Sequence, residues 1–299
     1  MTLEQLRIFV AVAERQHVTR AAQDLHLTQS ATSAAIAALE TRYATKLFDR
    51  IGRRIELTDA GRLFLVEARA VLAQAAAAEA ALDDLAGLKR GTLVLAASQT
   101  VANYWLPPLM HQFHAAYPGI TLRLNIGNTE HVAAWVNEIA ADLGFVEGEV
   151  DNPALSVTPV AEDVLVLVVS AKHPWASRET LSKEDLAATA WVVREEGSGT
   201  RAIVETTLAK HGIKRDDWRI ALELPSNEAV LAAVADGAGA TIVSEVVARA
   251  RIRAGTLIRR DIALPRRQFY GLRHKERSVT VAQRAFLDLI AETTSPRPA

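Results

Sequence analysis

Cysteine is absent from the 299 residues. That excludes disulfides, thiolate metal sites and redox sensing through a thiol. Missing too is any apolar run approaching the ~20 residues that span a bilayer. The opening stretch, MTLEQLRIFVAV, carries Glu4 and Arg7. It reads as an amphipathic helix and not as a signal peptide, so a cytoplasmic location and no membrane partner are expected. The net charge of −1 says nothing about nucleic acid by itself. Enzyme signatures are lacking as well. GSGT (197–200) does not have the spacing of a GxxxxGK phosphate loop, and no lysine ends it. Ser198, in EGSGT, is not in a GxSxG nucleophile elbow. No HExxH occurs, and the eight histidines are scattered. No catalytic residue, no metal site and no cofactor are expected.

What is present suggests at least two domains, from length alone. Residues 1–58 hold eight Lys or Arg and six Asp or Glu, a local charge of +2. Leu3, Leu6, Phe9, Val10 and Ala13 recur at helical spacing and predict a helix over 3–15. Thr19 can N-cap a second, short helix carrying Ala21, Ala22 and Leu25. After a turn at His26–Thr28, helix resumes with Thr32, Ile36, Leu39 and Tyr43 on one stripe. Gln29, Ser30, Ser33, Ala34 and Ala37 lie opposite.

A helix, a tight turn and a helix with a small polar outer face is a helix-turn-helix layout. Small side chains let such a helix sit deep in the major groove. Thr28, Gln29, Ser30 and Ser33 supply donors and acceptors for base edges, and the helix N-terminus attracts phosphate. Thr19 and Arg20 open the preceding helix. KLFDRIGRRIELT then predicts a hairpin at Gly52, with Arg50, Arg53 and Arg54 around its tip for phosphate contacts.

LEQLRIFVAVAE, TRAAQDLHLTQSATSAAIAALE and LFDRIGRRIELTDAGR together resemble the winged helix-turn-helix of LysR-type transcriptional regulators. Thr32 departs from the usual apolar residue, and Ala34–Ala35 from longer polar ones. Residues 67–86 are half alanine, which predicts a long helix, with Leu65, Leu72, Leu82 and Leu85 as an apolar stripe. The resemblance implies a linker helix that dimerises antiparallel. Gly87 and Gly91, flanking Lys89–Arg90, read as a hinge.

From Gly91 strands alternate with helices: GTLVLAAS, a helix ending at Pro118, TLRLNIG, a helix at TEHVAAWVNEI, then ADLGFVEG. The same order returns from WVVRE to AGATIVS. TEHVAAWV and NEAVLAAV align Glu130 with Glu228, Val132 with Val230 and Val136 with Val234. Two parallel-sheet lobes with a cleft between them follow. Val164–Ser170 is the first crossover and Gln268–His274 the return, with a last helix over 279–292 packing back on the first lobe. The resemblance implies a periplasmic-binding-protein-like effector domain. The expected organisation is a winged helix-turn-helix domain (1–58), a linker and dimerisation helix with its hinge (59–90), effector lobe I (91–163 and 268–299) and lobe II (164–267).

Ligands in open α/β sheets bind beyond the carboxyl ends of strands. Those ends carry Ser98 to Thr100, Asn128–Thr129, Glu147–Gly148, Arg194 with Gly197 to Arg201, and Ser226–Asn227. Hydroxyls, amides and helix N-termini favour an anion, and several bonds of roughly 1.5–3 kcal/mol each suffice for micromolar binding. GSGT also fits an ordinary helix-start turn, and Arg201 a surface pair with Glu205. GNTE, FVEG and REEGSGTR resemble the LysR subgroup with sulfur-assimilation, sulfite-response and carbon-fixation regulators. That implies a small inorganic anion, carboxylate or phosphate metabolite, with Ser98, Thr100, Asn128, Thr129, Ser198, Gly199, Thr200 and Asn227 lining the cleft and Arg194 as charge partner. Glu147 repels an anion unless it accepts a bond from the ligand or from an arginine. The favoured reading is a sequence-specific DNA-binding transcriptional regulator modulated by a small ligand. Its partners are double-stranded promoter DNA, the effector, a second copy of itself in a homodimer or dimer of dimers, and RNA polymerase. The alternative is a solute-binding or enzymatic α/β protein with an N-terminal association domain.

Overall fold

The computed structural model describes residues 1–51, 54–85 and 90–294. Gly52, Arg53, Gly87 and Lys89, named above for the hairpin tip and hinge, lie outside them. The chain divides into two compact units.

The first unit opens with α1 (Leu3–Arg15), whose start is fixed by a capping box. Thr2 Oγ1 accepts from the Gln5 amide at 3.1 Å, and the Gln5 side chain accepts from the Thr2 amide at 3.0 Å. Each satisfies a backbone donor that the helix leaves orphaned. Leu6, Phe9 and Ala13 are buried as the spacing requires, but Val10 is half-buried, Leu3 is exposed and Val12, outside the expected stripe, is buried. α2 (Val18–Asp24) is capped by His17, not Thr19. His17 has extended backbone angles and its ring accepts from the Arg20 amide, which places Thr19 already inside the first turn. Thr28 caps α3 (Gln29–Tyr43) by accepting from Ala31 at 3.2 Å. Thr32, Ile36 and Leu39 are buried, whereas Tyr43 is exposed beneath the Arg42 guanidinium. Thr32 tolerates an apolar position because its hydroxyl donates back to the Thr28 carbonyl at 3.1 Å, so burial leaves no unmet donor.

β1 (Phe48–Ile51) and β2 (Arg54–Leu57) pair antiparallel, with Ile51 opposite Arg54. Glu40 ties α3 to this hairpin by accepting from the amides of Leu47 at 2.8 Å and Phe48 at 3.2 Å and from Lys46 Nζ. α4 (Asp59–Leu85) follows. Its Phe64, Leu65 and Leu72 pack on the first unit's core, where Phe9 meets Phe48 and Phe64. Among the described side chains, α4 leaves the large apolar Leu63, Val66 and Val71 exposed. The expected stripe through Leu65 and Leu72 is thus used inward; the side chains of Leu82 and Leu85 lie outside the described residues.

The second unit holds two five-stranded sheets. In chain order its elements are β3 (Gly91–Ser98), a π-helical turn over Val101–Trp105, α5 (Leu106–Ala116), β4 (Ile120–Gly127), α6 (Thr129–Asn137), β5 (Leu143–Val146), β6 (Leu155–Asp163), β7 (Leu165–Ser170), α7 (Lys183–Ala188), β8 (Ala190–Arg194), α8 (Gly199–Lys210), a 3-10 turn (Arg215–Asp217), β9 (Arg219–Leu224), α9 (Asn227–Ala235), β10 (Ala240–Ser244), α10 (Glu245–Arg253), β11 (Leu257–Arg260), β12 (Arg267–His274) and α11 (Val281–Thr294). The strand orders are β4-β3-β5-β12-β6 and β9-β8-β10-β7-β11. One order maps onto the other: in each lobe three parallel strands are followed by a fourth that runs antiparallel to both its neighbours, so the fifth again runs with the first three.

The expected β-α-β-α-β halves are present. α6 and α9 occupy equivalent places, and each buries its aligned valines, Val132 with Val136 and Val230 with Val234. α11 packs on the first sheet through Phe286 and Ile290, against Phe113 and Phe145. β6 was not anticipated because Pro159 interrupts its pattern; as the edge strand it tolerates a missing N–H. β11, α7 and α10 were likewise not read from the sequence. At the crossovers Asp163 accepts from Arg267 Nε at 2.7 Å and from Ser244 Oγ at 2.5 Å. One buried carboxylate therefore ties both connecting strands to the end of β10.

Candidate functional site

The α3 helix presents Thr28, Gln29 and Ser30 in the open at its start, and Ala34 and Ala37 further along the same side. Ser33 is half-buried. Thr28 Oγ1 and Ser30 Oγ lie 3.0 Å apart, so both hydroxyls stand at the N-terminal end, where the backbone amides carry partial positive charge. In α2 Arg20 is exposed and Thr19 half-buried. Arg50 and Arg54 occupy facing strands of the hairpin, and Arg53 falls outside the described residues.

The other set converges where the strands of the second unit end. Ser98, Thr100, Asn128, Thr129, Glu147, Arg194, Ser198, Thr200 and Asn227 are all buried. Buried polar atoms require partners, and here they come both from the same lobe and from the facing one. Asn227 Nδ2 donates to Thr100 Oγ1 at 3.1 Å, and Asn227 Oδ1 accepts from Arg194 Nη1 at 2.8 Å. Glu147 accepts from the hydroxyl of Ser98 and, at 3.3 Å, from that of Thr200. Two hydroxyls, not an arginine, therefore hold the Glu147 carboxylate. Asn128 accepts from the His131 amide at 2.9 Å, capping α6, while its Nδ2 donates to the Glu196 carbonyl at 3.1 Å. Thr129 Oγ1 is buried without a hydrogen-bond partner, and Ser198 precedes α8 without using its hydroxyl as a cap.

Two glycines make this approach of the lobes possible. Gly197 has φ +78°, a left-handed conformation that suits a residue without Cβ. A Cβ there would also lie 2.5 Å from Glu130 Oε2. Gly199 packs on Gly148, and an added Cβ would stand 2.8 Å from the Gly148 nitrogen.

Arg194 is fully engaged. Its Nε and Nη2 donate to the two oxygens of Glu195 at 2.8 Å each. Burial opposes the charge on Glu195, yet Arg194, its own backbone amide and the Asn128 side chain outweigh that and hold its pKa below the ordinary carboxylate range. Arg201 is buried rather than on the surface. It makes the expected pair with Glu205 at 2.9 Å, and also bonds Glu223 at 2.6 Å and the Arg194 carbonyl at 3.3 Å. Burial opposes its charge too, but Glu205 and Glu223 raise its pKa.

Several contributors were not singled out from the sequence. Gln99 Oε1 accepts from the Asn227 amide at 3.1 Å, and its Nε2 donates to the Pro225 carbonyl at 2.8 Å. Tyr104 donates to Glu228 at 3.1 Å; burial and then that carboxylate raise the tyrosine pKa. Tyr104 comes from the π-helical turn, an irregularity frequent at functional sites. Gln99 was readable, since it stands between Ser98 and Thr100. Glu195 and Tyr104 carry no local signal, because their partners are distant in sequence or need the strand-end geometry.

The description "Bacterial regulatory helix-turn-helix protein, lysR family" matches residues 3–62, and "LysR substrate binding domain" matches residues 86–295. The chain is 35% identical over 299 residues to the "Uncharacterized HTH-type transcriptional regulator YeiE" of Escherichia coli K12, covering 99% of each. It is 37% identical over 259 residues to a "Probable RuBisCO transcriptional regulator" of Cyanophora paradoxa, covering 86% of this chain and 80% of that one. Among solved structures, full-length CbnR complexed with target DNA superposes with TM-score 0.70 at 26% identity, over 98% of this chain and all of that one. The CcmR regulatory domain of Synechocystis PCC6803 in complex with 2-PG gives 0.63 at 29% identity, over 70% of this chain and all of that one. Matched in both halves and along its whole length, the chain is a member of the LysR family of bacterial helix-turn-helix transcriptional regulators.

Proposed function

We propose that this regulator reads a dyad-symmetric promoter element through α3 and responds to a small carboxylate or phosphate metabolite held between its two α/β lobes. Thr28, Gln29, Ser30 and Ser33 meet base edges. Thr19, Arg20, Arg50, Arg53 and Arg54 meet phosphates, positioning the helix without reading sequence. The dimer forms in the cytoplasm by pairing of α4 with a second copy, through the exposed Leu63, Val66 and Val71. Two dimers associate on the DNA, within reach of RNA polymerase.

The observation that carries the effector reading is the convergence of nine buried polar side chains on facing strand ends, one of which, Thr129, has an unpartnered hydroxyl. Such a concentration of desolvated hydroxyls and amides is costly unless each atom is bonded. An acceptor oxygen of a ligand would engage the Thr129 hydroxyl that remains. The CcmR complex with 2-PG supports the class of ligand. Ligand binding shifts the regulator only through unequal affinity for its two lobe arrangements.

The test is a thermal-shift series with 2-phosphoglycolate, sulfite, sulfate, inorganic phosphate and small carboxylates, paired with a gel shift on the protein's own upstream region. A shift with one of these that is lost in Thr200→Ala, while ligand-free DNA binding persists, is the expected result. A shift retained in Thr200→Ala removes Thr200 from the site. No preference for any duplex over random DNA would favour the alternative of a solute-binding protein.

A further inference from the structure

We propose that Glu195 is an internal stand-in for the effector's carboxylate, and that the ligand acts by displacing it from Arg194. The inference rests on the cleft reading above and adds the group recognised and the competition that regulates it.

Arg194 ends β8 and has only 2% of its surface exposed. A buried guanidinium without a counter-charge is strongly destabilising, so the site needs an anion whether or not a ligand is present. Glu195 supplies one. Its two oxygens take Nε and Nη2 at equal distances of 2.8 Å, the planar two-point geometry that arginine offers any carboxylate. Asn227 holds the third nitrogen at 2.8 Å and is itself fixed by Thr100 of the other lobe. The guanidinium is thereby kept in one orientation by groups other than Glu195.

Glu195 differs from the rest of the network in its exposure. Its side chain is 29% exposed against 2% for Arg194, so rotation into water is open to it. A ligand carboxylate arriving at Arg194 finds a preset fork and inherits its bonds, while Glu195 is released to solvent. One carboxylate charge beside Arg194 replaces another, which lessens the repulsion that Glu195 and an added carboxylate would otherwise suffer. The exchange takes place on a guanidinium that Asn227 links to Thr100 of the facing lobe, so displacement is coupled to a lobe-to-lobe contact.

The experiment compares the wild-type protein with Glu195→Gln in calorimetric titrations with 2-phosphoglycolate, glycolate and succinate. Glutamine keeps the shape but competes poorly for the guanidinium. Binding of at least one of these carboxylates about tenfold tighter in Glu195→Gln is expected, on the scale of one charged hydrogen bond. Adding Arg194→Met to that variant should abolish the gain. Glu195→Asp, too short to span the fork from the same backbone, serves if Glu195→Gln fails to fold and should bind tighter than wild type. Unchanged or weaker binding in a folded variant, with the wild type still binding, overturns the stand-in role and leaves the cleft reading intact. No binding by either protein overturns both.

Discussion

Asn227 donates its side-chain amide to Thr100 Oγ1 at 3.1 Å, linking the first residue of α9 to the turn that follows β3 in the opposite lobe. The same side chain accepts from Arg194. Replacing Asn227 with alanine leaves a buried guanidinium N–H and a buried hydroxyl short of partners. A loss of roughly 1–3 kcal/mol is expected, read as a lower melting midpoint for the effector domain. An unchanged midpoint would mean that water replaces both bonds.

Gly199→Ala should act on the gap between lobes. The new Cβ meets Gly148 backbone atoms at 2.8–2.9 Å, and backbone yields less readily than a side-chain tip. The lobes must separate, so the affinity for an effector of the cleft falls. Titration of the variant beside wild type checks this, and equal affinity would show that the contact belongs to a state the ligand does not use.

At the hairpin, removing charge from Arg53 and Arg54 together should weaken binding to any duplex. The slope of log affinity against log salt should become shallower by about 2 if each arginine neutralises one phosphate. Gel shifts across a salt series provide the measurement; an unaltered slope rules out phosphate contacts.

Ser33→Phe tests the reading face. Ser33 is half-buried beside the exposed Ser30, Ala34 and Ala37, so a bulky ring there holds α3 away from the groove floor. Specific binding should fall more than binding to random DNA. Equal losses would assign Ser33 to folding instead.

Glu40 makes the first unit sensitive to acid. Burial opposes its ionisation, but Lys46 and the Leu47 and Phe48 amides prevail and lower its pKa. A carboxylate with a depressed folded-state pKa adds stability above its ordinary value of 4.5, and that contribution disappears as pH falls through the lower folded value. Glu40→Gln should therefore melt below wild type near neutral pH, with the gap closing in acid. A gap independent of pH would trace the effect to lost hydrogen bonds alone.

Much of the first unit was legible because its information is local. Apolar spacing placed α1 and α3, and the two β-like runs around Gly52 placed the hairpin. The errors came from what periodicity does not encode. His17 caps α2 because of its backbone angles. Tyr43 shares the stripe of Leu39 but emerges past the end of the packed face. Leu65 and Leu72 turn inward because Phe9 and the hairpin are there to receive them.

The residues that gather at the strand ends were named from sequence because a parallel sheet forces successive strand termini to one edge. That rule fixes location but not partnership. Hydroxyls, amides and a lone arginine specify a polar cleft wherever they fall in the chain, and the doubled strand-helix order specifies two lobes to enclose it. Only folding decided that Glu147 would be held by Ser98 and Thr200, that Arg194 would meet Glu195 and Asn227, and that Tyr104 would reach Glu228. Those pairings depend on which side chains folding brings within about 3 Å, some at the end of one sheet and some, as for Thr200 with Glu147 and Tyr104 with Glu228, across the gap between lobes that Gly199 and Gly148 set.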